Sequence, residues 1–448
     1  MVAIAPFRAL RYSPTRINLA TSTSPPHDCV TADEADGLRR GDEHNILHIA
    51  LPPAEPGDGD TTAAPSKYSR AGMHLREWMH NGVLVRDARP GLYLYQVTTG
   101  PLDDRRTMSG FFARLALDAT GTQVRPHEHT LQRPKRDRLH LREATGTDVE
   151  AIWLLYRDPR GWVHELLESN AFDEVARFTD EAGSEHRLWR VDRYEAVTEI
   201  TAQFDDRELV IADGHHRYRT ALEQFAATGR PEHGSILVCL VRDNDPGLRI
   251  EATHRLVHGL PRDADAARQA ALDRNWDAVT VPLGKDLVYE AKRLTGLLDD
   301  GRKAIVVGRA NGGLGAQLLT LKPSAKSAAP GRLATLAVTR VHEFLLAPWG
   351  VAPERPEQHL RYARDAAAAL HDIEAGLCQY AVLLPPEPVD AVLDVAEAGQ
   401  LMPQKATYFV PKLRSGLVLS LLDEPIPRGW KELAGDGGRP EFRLPPLG

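Results

Sequence analysis

Cysteine is scarce: the 448 residues hold three, Cys29, Cys239 and Cys378, widely spaced and with no CxxC pair. That excludes a disulfide framework and a cysteine-based zinc site, and fits a reducing compartment. Long apolar runs are also missing. None exceeds the six residues of Ile236 to Val241, against the roughly 18–20 that a membrane-crossing helix needs. Pro6, Arg8 and Arg11 interrupt the start where an export signal would be apolar, so the expected location is cytoplasmic, away from any membrane. Aromatic residues make up 6% and do not interleave with basic ones, which removes the usual platform for single-stranded nucleic acid. No GxGxxG follows a strand, and GxxxxGK[ST] and GxSxG do not occur, so neither a Rossmann site, a P-loop nor a nucleophile elbow is indicated.

What is there is an ordinary globular balance. Hydrophobic residues make up 42% and charged residues 26%, with 55 basic against 62 acidic side chains for a net charge of −7. Mild acidity argues against a dedicated nucleic-acid surface and leaves room for a local basic pocket. The length predicts two or three domains, placed at 1–145, 146–260 and 261–448.

Stretches 52–66 and 322–332 and the tail from Asp423 read as loops from their Pro, Gly and Ala content. Between them the pattern predicts strands at 46–51, 92–97, 111–117, 151–156, 209–211, 236–241, 303–308, 380–384, 407–411 and 416–421. Helices are predicted at 68–80, from 214 to about 227, and near 263–274, 285–299, 333–347 and 387–399. Strands and helices are mixed, with several consecutive strands early on, which predicts an α+β, or mixed α/β, fold.

Three segments could carry chemistry. In Ile211-Ala212-Asp213-Gly214-His215-His216-Arg217-Tyr218 a buried strand ends, glycine permits a tight turn, and a helix begins with its positive dipole end facing outward. Either Asp213 simply caps that helix, or the turn is an anion cradle with Asp213 as base or metal ligand. The second is His127-Glu128-His129-Thr130 with Lys135, Arg136, Asp137 and Arg138. It is either a solvated loop of charges or a second contribution to an anion site through Glu128 and Lys135. HEH is not the HExxH spacing of a helical zinc site. The third, Pro403 to Lys412, places Lys405 and Lys412 around an aromatic strand, with Ser415-Gly416 directly after.

Together with Ile4 to Arg11, the Pro25-Pro26-His27-Asp28 turn and Thr253-His254-Arg255, these motifs resemble the bacterial domain of unknown function family 1015, in order and over nearly the whole chain. His27 stands where the family pattern implies Tyr, and Ala406 where it implies Ser. The Asp-Gly-His-His-Arg block is also similar to the corresponding turn of the ParB/sulfiredoxin-like fold, shared by nucleotide-binding ParB proteins and free-serine kinases. That resemblance implies a ParB/sulfiredoxin-like core around the strand–turn–helix element, with additional α/β elements. It implies Asp213 as base or Mg2+ partner, with Gly214, His215, His216 and Arg217 around nucleotide phosphates.

The candidate catalytic residues are therefore Asp213, His215, His216 and Glu128. The candidate ligand-binding residues are Gly214, Arg217, His127, Thr130, Lys135, Arg138, Lys405 and Lys412. The expected activity is phosphoryl transfer between a nucleotide, ATP or ADP, and a small hydroxylated metabolite, serine or serine-like, with Mg2+. A phosphatase acting on a small phosphorylated metabolite would use the same cradle. A ParB-type nucleotide switch without small-molecule chemistry is the alternative of a different class.

Overall fold

The computed structural model describes residues 3–117, 124–128, 132–261, 265–310, 313–352 and 355–425. The fold is mixed α/β, as the pattern predicts. It divides into two compact units: Met1–Val124, Thr130–Gly247 and Pro411–Gly448 form the first, and Arg125–His129 with Leu248–Val410 the second. The expected boundary at 145/146 falls inside the first unit, and that at 260/261 lies just within the second. Among the described residues no helix is long and apolar enough to cross a membrane.

The first unit is built on a nine-stranded sheet. Its order is Val124–Arg125, Leu209–Asp213, Ile152–Tyr156, Ser235–Arg242, Arg106–Ala116, Leu92–Thr99, Glu185–Val191 and Asp173–Thr179, with Ile4–Ala5 pairing onto Arg106–Ala116. Ser235–Arg242 runs parallel to Ile152–Tyr156 and antiparallel to Arg106–Ala116. The central strands are buried along their length, which is why they read as near-continuous Val, Ile and Leu. Val197 and Ile200 of helix Tyr194–Ala202 and Tyr218 and Ala221 of helix His215–Thr228 join Ile152, Leu154, Ile211 and Val238 in one core.

A second core in this unit gathers around helix Lys67–His80, whose Ala71, Leu75 and Trp78 are buried. Ser66 and Ser69 close a reciprocal capping box at its start. Gly72 lets it approach helix Gln132–Thr145 closely, because a Cβ there would lie 2.4 Å from the Ala144 carbonyl oxygen.

The second unit holds a six-stranded antiparallel sheet ordered Trp276–Val281, Gly313–Leu321, Lys303–Ala310, Tyr380–Leu383, His254–Val257 and Leu360–Ala363. Helices Leu287–Thr295 and Ala366–Glu374 bury Leu294, Ala369, Leu370 and Ile373 against it. A separate ribbon pairs Arg249–Glu251 with Tyr408–Val410.

Four local expectations change. Residues 46–51 form a helical turn, Leu47–Ala50, rather than a strand, with the Asn45 carboxamide oxygen accepting the Leu47 N–H at 3.0 Å. A short apolar run buried on nearly every side shows no period that separates the two. The charged stretch after the HEHT motif is helical from Gln132 to Thr145, not a loop. The expected helix at 333–347 is a succession of a 3-10 turn (Gly331–Thr335), one α turn (Ala337–Val341) and a π turn (His342–Leu346). Of the strand expected at 416–421, Ser420–Leu421 pairs with Thr147–Asp148 and Leu419 makes a single bridge to Leu10.

Candidate functional site

Strand Leu209–Asp213 ends on Asp213, Gly214 turns the chain at φ 92°, and helix His215–Thr228 follows. That φ is open to glycine and strained for other residues. Asp213 does not cap the helix. Gly214 is the N-cap residue and no side chain caps it. One Asp213 oxygen accepts the Gly214 N–H at 2.8 Å and the other accepts the Lys412 ammonium at 2.9 Å. Burial would raise the Asp213 carboxyl, but the charges of Lys412 and Arg217 outweigh it and hold the group well below the usual carboxylate range. Lys412 is displaced upward in turn, the pull of Asp213 overcoming the effect of burial.

Arg217, in the first turn of the helix, donates to the Ala151 carbonyl at 2.8 Å and lies 3.6 Å from a Glu150 oxygen. Glu150 precedes the buried strand Ile152–Tyr156 and is the best-connected carboxylate here. It accepts the His27 backbone N–H at 3.1 Å, His27 Nδ1 at 2.6 Å and the Ser415 hydroxyl at 2.7 Å. Burial again works against ionisation, but His27 and Arg217 hold Glu150 well below its ordinary range. Asp213, Glu150, Arg217 and Ser415 line one narrow pocket with Pro26 and Trp153. Glu150 and Arg217 also line a neighbouring one with Arg138 and Arg142.

The segment carrying Lys412 and Ser415 is pinned by Arg414. Its buried guanidinium donates to Glu181 at 2.6 and 3.0 Å, to Asp180 at 3.3 Å and to the Thr23 hydroxyl at 3.0 Å. Asp180 accepts in addition from His186, whose other ring nitrogen meets the Tyr95 hydroxyl at 2.8 Å.

The structure thus brings together Asp213, Gly214, Arg217 and Lys412, with His215 and His216 in the adjoining first turn. Arg138 is in the same unit, but its guanidinium is taken up by Asp137 and, at 2.9 Å, by the Ala50 carbonyl. Glu128, His127 and Lys405 belong to the second unit. There the Glu128 carboxylate accepts the Lys405 backbone N–H at 3.1 Å, and Lys405 has a positive φ of 53°. His127 is fully buried, 2.8 Å from the Thr407 hydroxyl and edge-on to Phe409. The imidazole packs within that unit, against the Tyr408–Val410 strand. Thr130 and the side chain of Lys135 lie outside the described residues.

A resident Mg2+ at Asp213 is not a good fit. Its oxygens are committed to Gly214 and Lys412, and those of Glu150 to His27 and Ser415. Among the described residues no group of three or more His, Cys, Asp or Glu side chains could hold a metal. Glu150, His27 and Ser415 were not singled out as site residues from the sequence. The readable signal for Glu150 was the same as for Asp213, a carboxylate at the end of a wholly buried strand.

Among solved structures, the chain is similar to a conserved hypothetical protein from Pyrococcus furiosus, with 13% identity, a TM-score of 0.36, and coverage of 70% of this chain and 96% of that one. A free serine kinase in complex with AMP shows 12% identity and a TM-score of 0.34 over 67% of this chain and 87% of its own. SbnI with a C-terminal truncation, from Staphylococcus aureus, shows 10% identity and a TM-score of 0.36 over 72% and 92%. No curated protein matches. The family model described as "Protein of unknown function (DUF1015)" matches residues 4–339, three quarters of the chain, and the protein belongs to the DUF1015 family.

Proposed function

We propose that the protein is a phosphoryl-transfer enzyme, a nucleotide-dependent kinase of a small hydroxylated metabolite such as serine, with ATP or ADP as donor. The observation that carries this reading is the strand–turn–helix corner, where Arg217 and Lys412 sit beside an ionised Asp213 at the positive end of a 14-residue helix. Phosphoryl transfer demands little covalent work from a protein. It requires cations and oriented N–H groups around the phosphates, plus a placed acceptor hydroxyl. In this reading the first unit's corner is a ParB/sulfiredoxin-like core working in the cytoplasm. Lys412 and Arg217 bind the phosphates, and Asp213 keeps both cations oriented. Magnesium enters as the cation that the nucleotide brings on its own phosphates, to neutralise charge on the transferred group. No residue here is assigned to hold it.

The test is direct. ATP or ADP with Mg2+ should raise the thermal unfolding midpoint, by about 2.7 kcal/mol of stabilisation at a hundredfold excess over Kd, and phosphoserine should form from serine. Lys412→Met and Arg217→Met should each abolish the shift. A protein that no nucleotide stabilises at millimolar concentration would sink the proposal. One that binds nucleotide but phosphorylates nothing would be a switch instead.

A further inference from the structure

The corner leaves the proton acceptor unassigned. Asp213 is a weak candidate, because Gly214 and Lys412 occupy its oxygens and it is held far on the ionised side. Glu150 is occupied as well, but its partner is informative. Since Glu150 is an ionised acceptor, the hydrogen bond at 2.6 Å fixes the proton of His27 on Nδ1. In the neutral tautomer that keeps this proton, the lone pair lies on Nε2. The His27 backbone N–H also donates to Glu150, so both backbone and ring are anchored to one carboxylate. The side chain keeps 18% of its surface exposed, against 5% for Glu150, so the imidazole retains access to solvent that the carboxylate lacks. The oxygen that accepts Nδ1 is also the one 3.6 Å from Arg217. Imidazole and phosphate-binding cation are therefore neighbours on one oxygen, and Pro26, directly before His27, lines the same pocket.

We infer that His27, oriented by Glu150, is the general base of this site. The inference rests on the kinase reading and adds its proton acceptor. The substrate hydroxyl oxygen attacks the terminal phosphorus, its proton passes to His27 Nε2, and the bond from phosphorus to the bridging oxygen breaks, releasing the shortened nucleotide. The imidazolium so formed is stabilised by Glu150 and returns its proton to water. Ser415 completes the arrangement as a positioning residue: its hydroxyl donates to the Glu150 oxygen that also accepts the His27 backbone N–H. The charged group bonded to the ring is Glu150, on which Arg217 and Arg138 also act, with Asp28 next in the chain.

The test uses the full chain with ATP, Mg2+ and serine. His27→Gln should lower kcat roughly 100-fold, within the range a general base contributes, and remove the acid limb of the pH–rate profile. The nucleotide-induced thermal shift should remain unchanged. Glu150→Gln should also lower kcat while moving that limb, because it alters the ring's protonation without removing it. Nitrogen-15 spectra of the wild-type imidazoles, with His27 assigned by its loss in His27→Gln, should show a protonated Nδ1 and a bare Nε2. Full activity with an intact acid limb in His27→Gln, or a ring protonated on Nε2 alone, overturns the assignment and leaves the kinase reading standing. Wild-type protein that transfers nothing to serine or any related hydroxyl overturns both.

Discussion

Replacing Lys412 by Met separates the two charges at the heart of the corner. The pair lies 2.9 Å apart with side chains 15% and 20% exposed. Removing one partner of a fully buried pair costs about 3–5 kcal/mol, because the remaining charge is left uncompensated. Here some solvent reaches the pair and Arg217 still faces Asp213, so the expected loss is about 2–3 kcal/mol. At about 2–4 °C per kcal/mol for a large domain, the unfolding midpoint should fall by roughly 5–10 °C. Asp213→Asn alone strands the lysine and should also destabilise. The double variant strands neither, so its loss should be smaller than the sum of the singles by at least about 1 kcal/mol.

The pH dependence gives a second, independent check on the same pair. Asp213 titrates lower in the folded state than in the unfolded chain. Its stabilisation is present above the unfolded carboxylate pKa of about 3.9 and is lost as pH falls towards the folded one. Lys412 is displaced upward, so its share is present below about 10.4 and fades as pH rises beyond. The gap between wild type and Lys412→Met should stay flat from about pH 5 to 9 and close on the acid side. Urea denaturation across that range measures it. Strict additivity of the two substitutions, or a gap as wide at pH 2 as at pH 7, would refute the pairing.

Two further outcomes follow from single positions. Gly214→Ala forces a side chain onto φ 92° with its Cβ 3.0 Å from Ile152 Cδ1 and 3.2 Å from an Arg217 nitrogen. It should cost about 1–3 kcal/mol and weaken nucleotide protection, and an unchanged melting curve would contradict the turn geometry. In the second unit, buried Glu387 accepts the Val338 N–H at 2.8 Å, and burial pushes its carboxyl up to about 7 despite that bond. A raised folded pKa means stability that is full below the unfolded value and lost as pH rises through 7. Glu387→Gln should therefore flatten a decline of roughly 1–3 kcal/mol between pH 4.5 and 7, and an identical slope in the variant would refute it.

Much of the corner is legible in the sequence because it is local. Leu209-Val210-Ile211 is a buried strand by composition, Asp213-Gly214 is a turn, and the helix behind it runs where its pattern places it. The partners are illegible because they come from far along the chain. His27 and Glu150 are separated by 123 residues, and Glu150 and Ser415 by 265. No periodicity encodes a contact of that span. Strands Asp173–Thr179 and Glu185–Val191 were not expected either. The first is an edge strand of mostly exposed or half-buried residues, so it lacks the apolar alternation that marks a half-buried one. The helix Gln132–Thr145 was hidden by Pro134 and a run of charges, although proline is tolerated in a first turn.

The cation clusters that stand out in the sequence acquire a different meaning once their neighbours are known. Arg138 faces Asp137, Arg414 faces Glu181 and Asp180, and Lys412 and Arg217 face Asp213 and Glu150. Arg138, Arg217, Lys412 and Arg414 are therefore paired cations rather than an open positive patch. At the corner two carboxylates balance two cations, so the pocket is close to neutral before anything binds. An anion entering it competes with Asp213 and Glu150 for cations that are already paired. It gains most where the helix N-terminus adds positive potential without an opposing carboxylate. A neutral, preorganised cluster of this kind holds no single phosphate strongly, yet it can redistribute its ion pairs as charge moves from one ligand oxygen to another. That property suits a group-transfer site better than a storage site for phosphate.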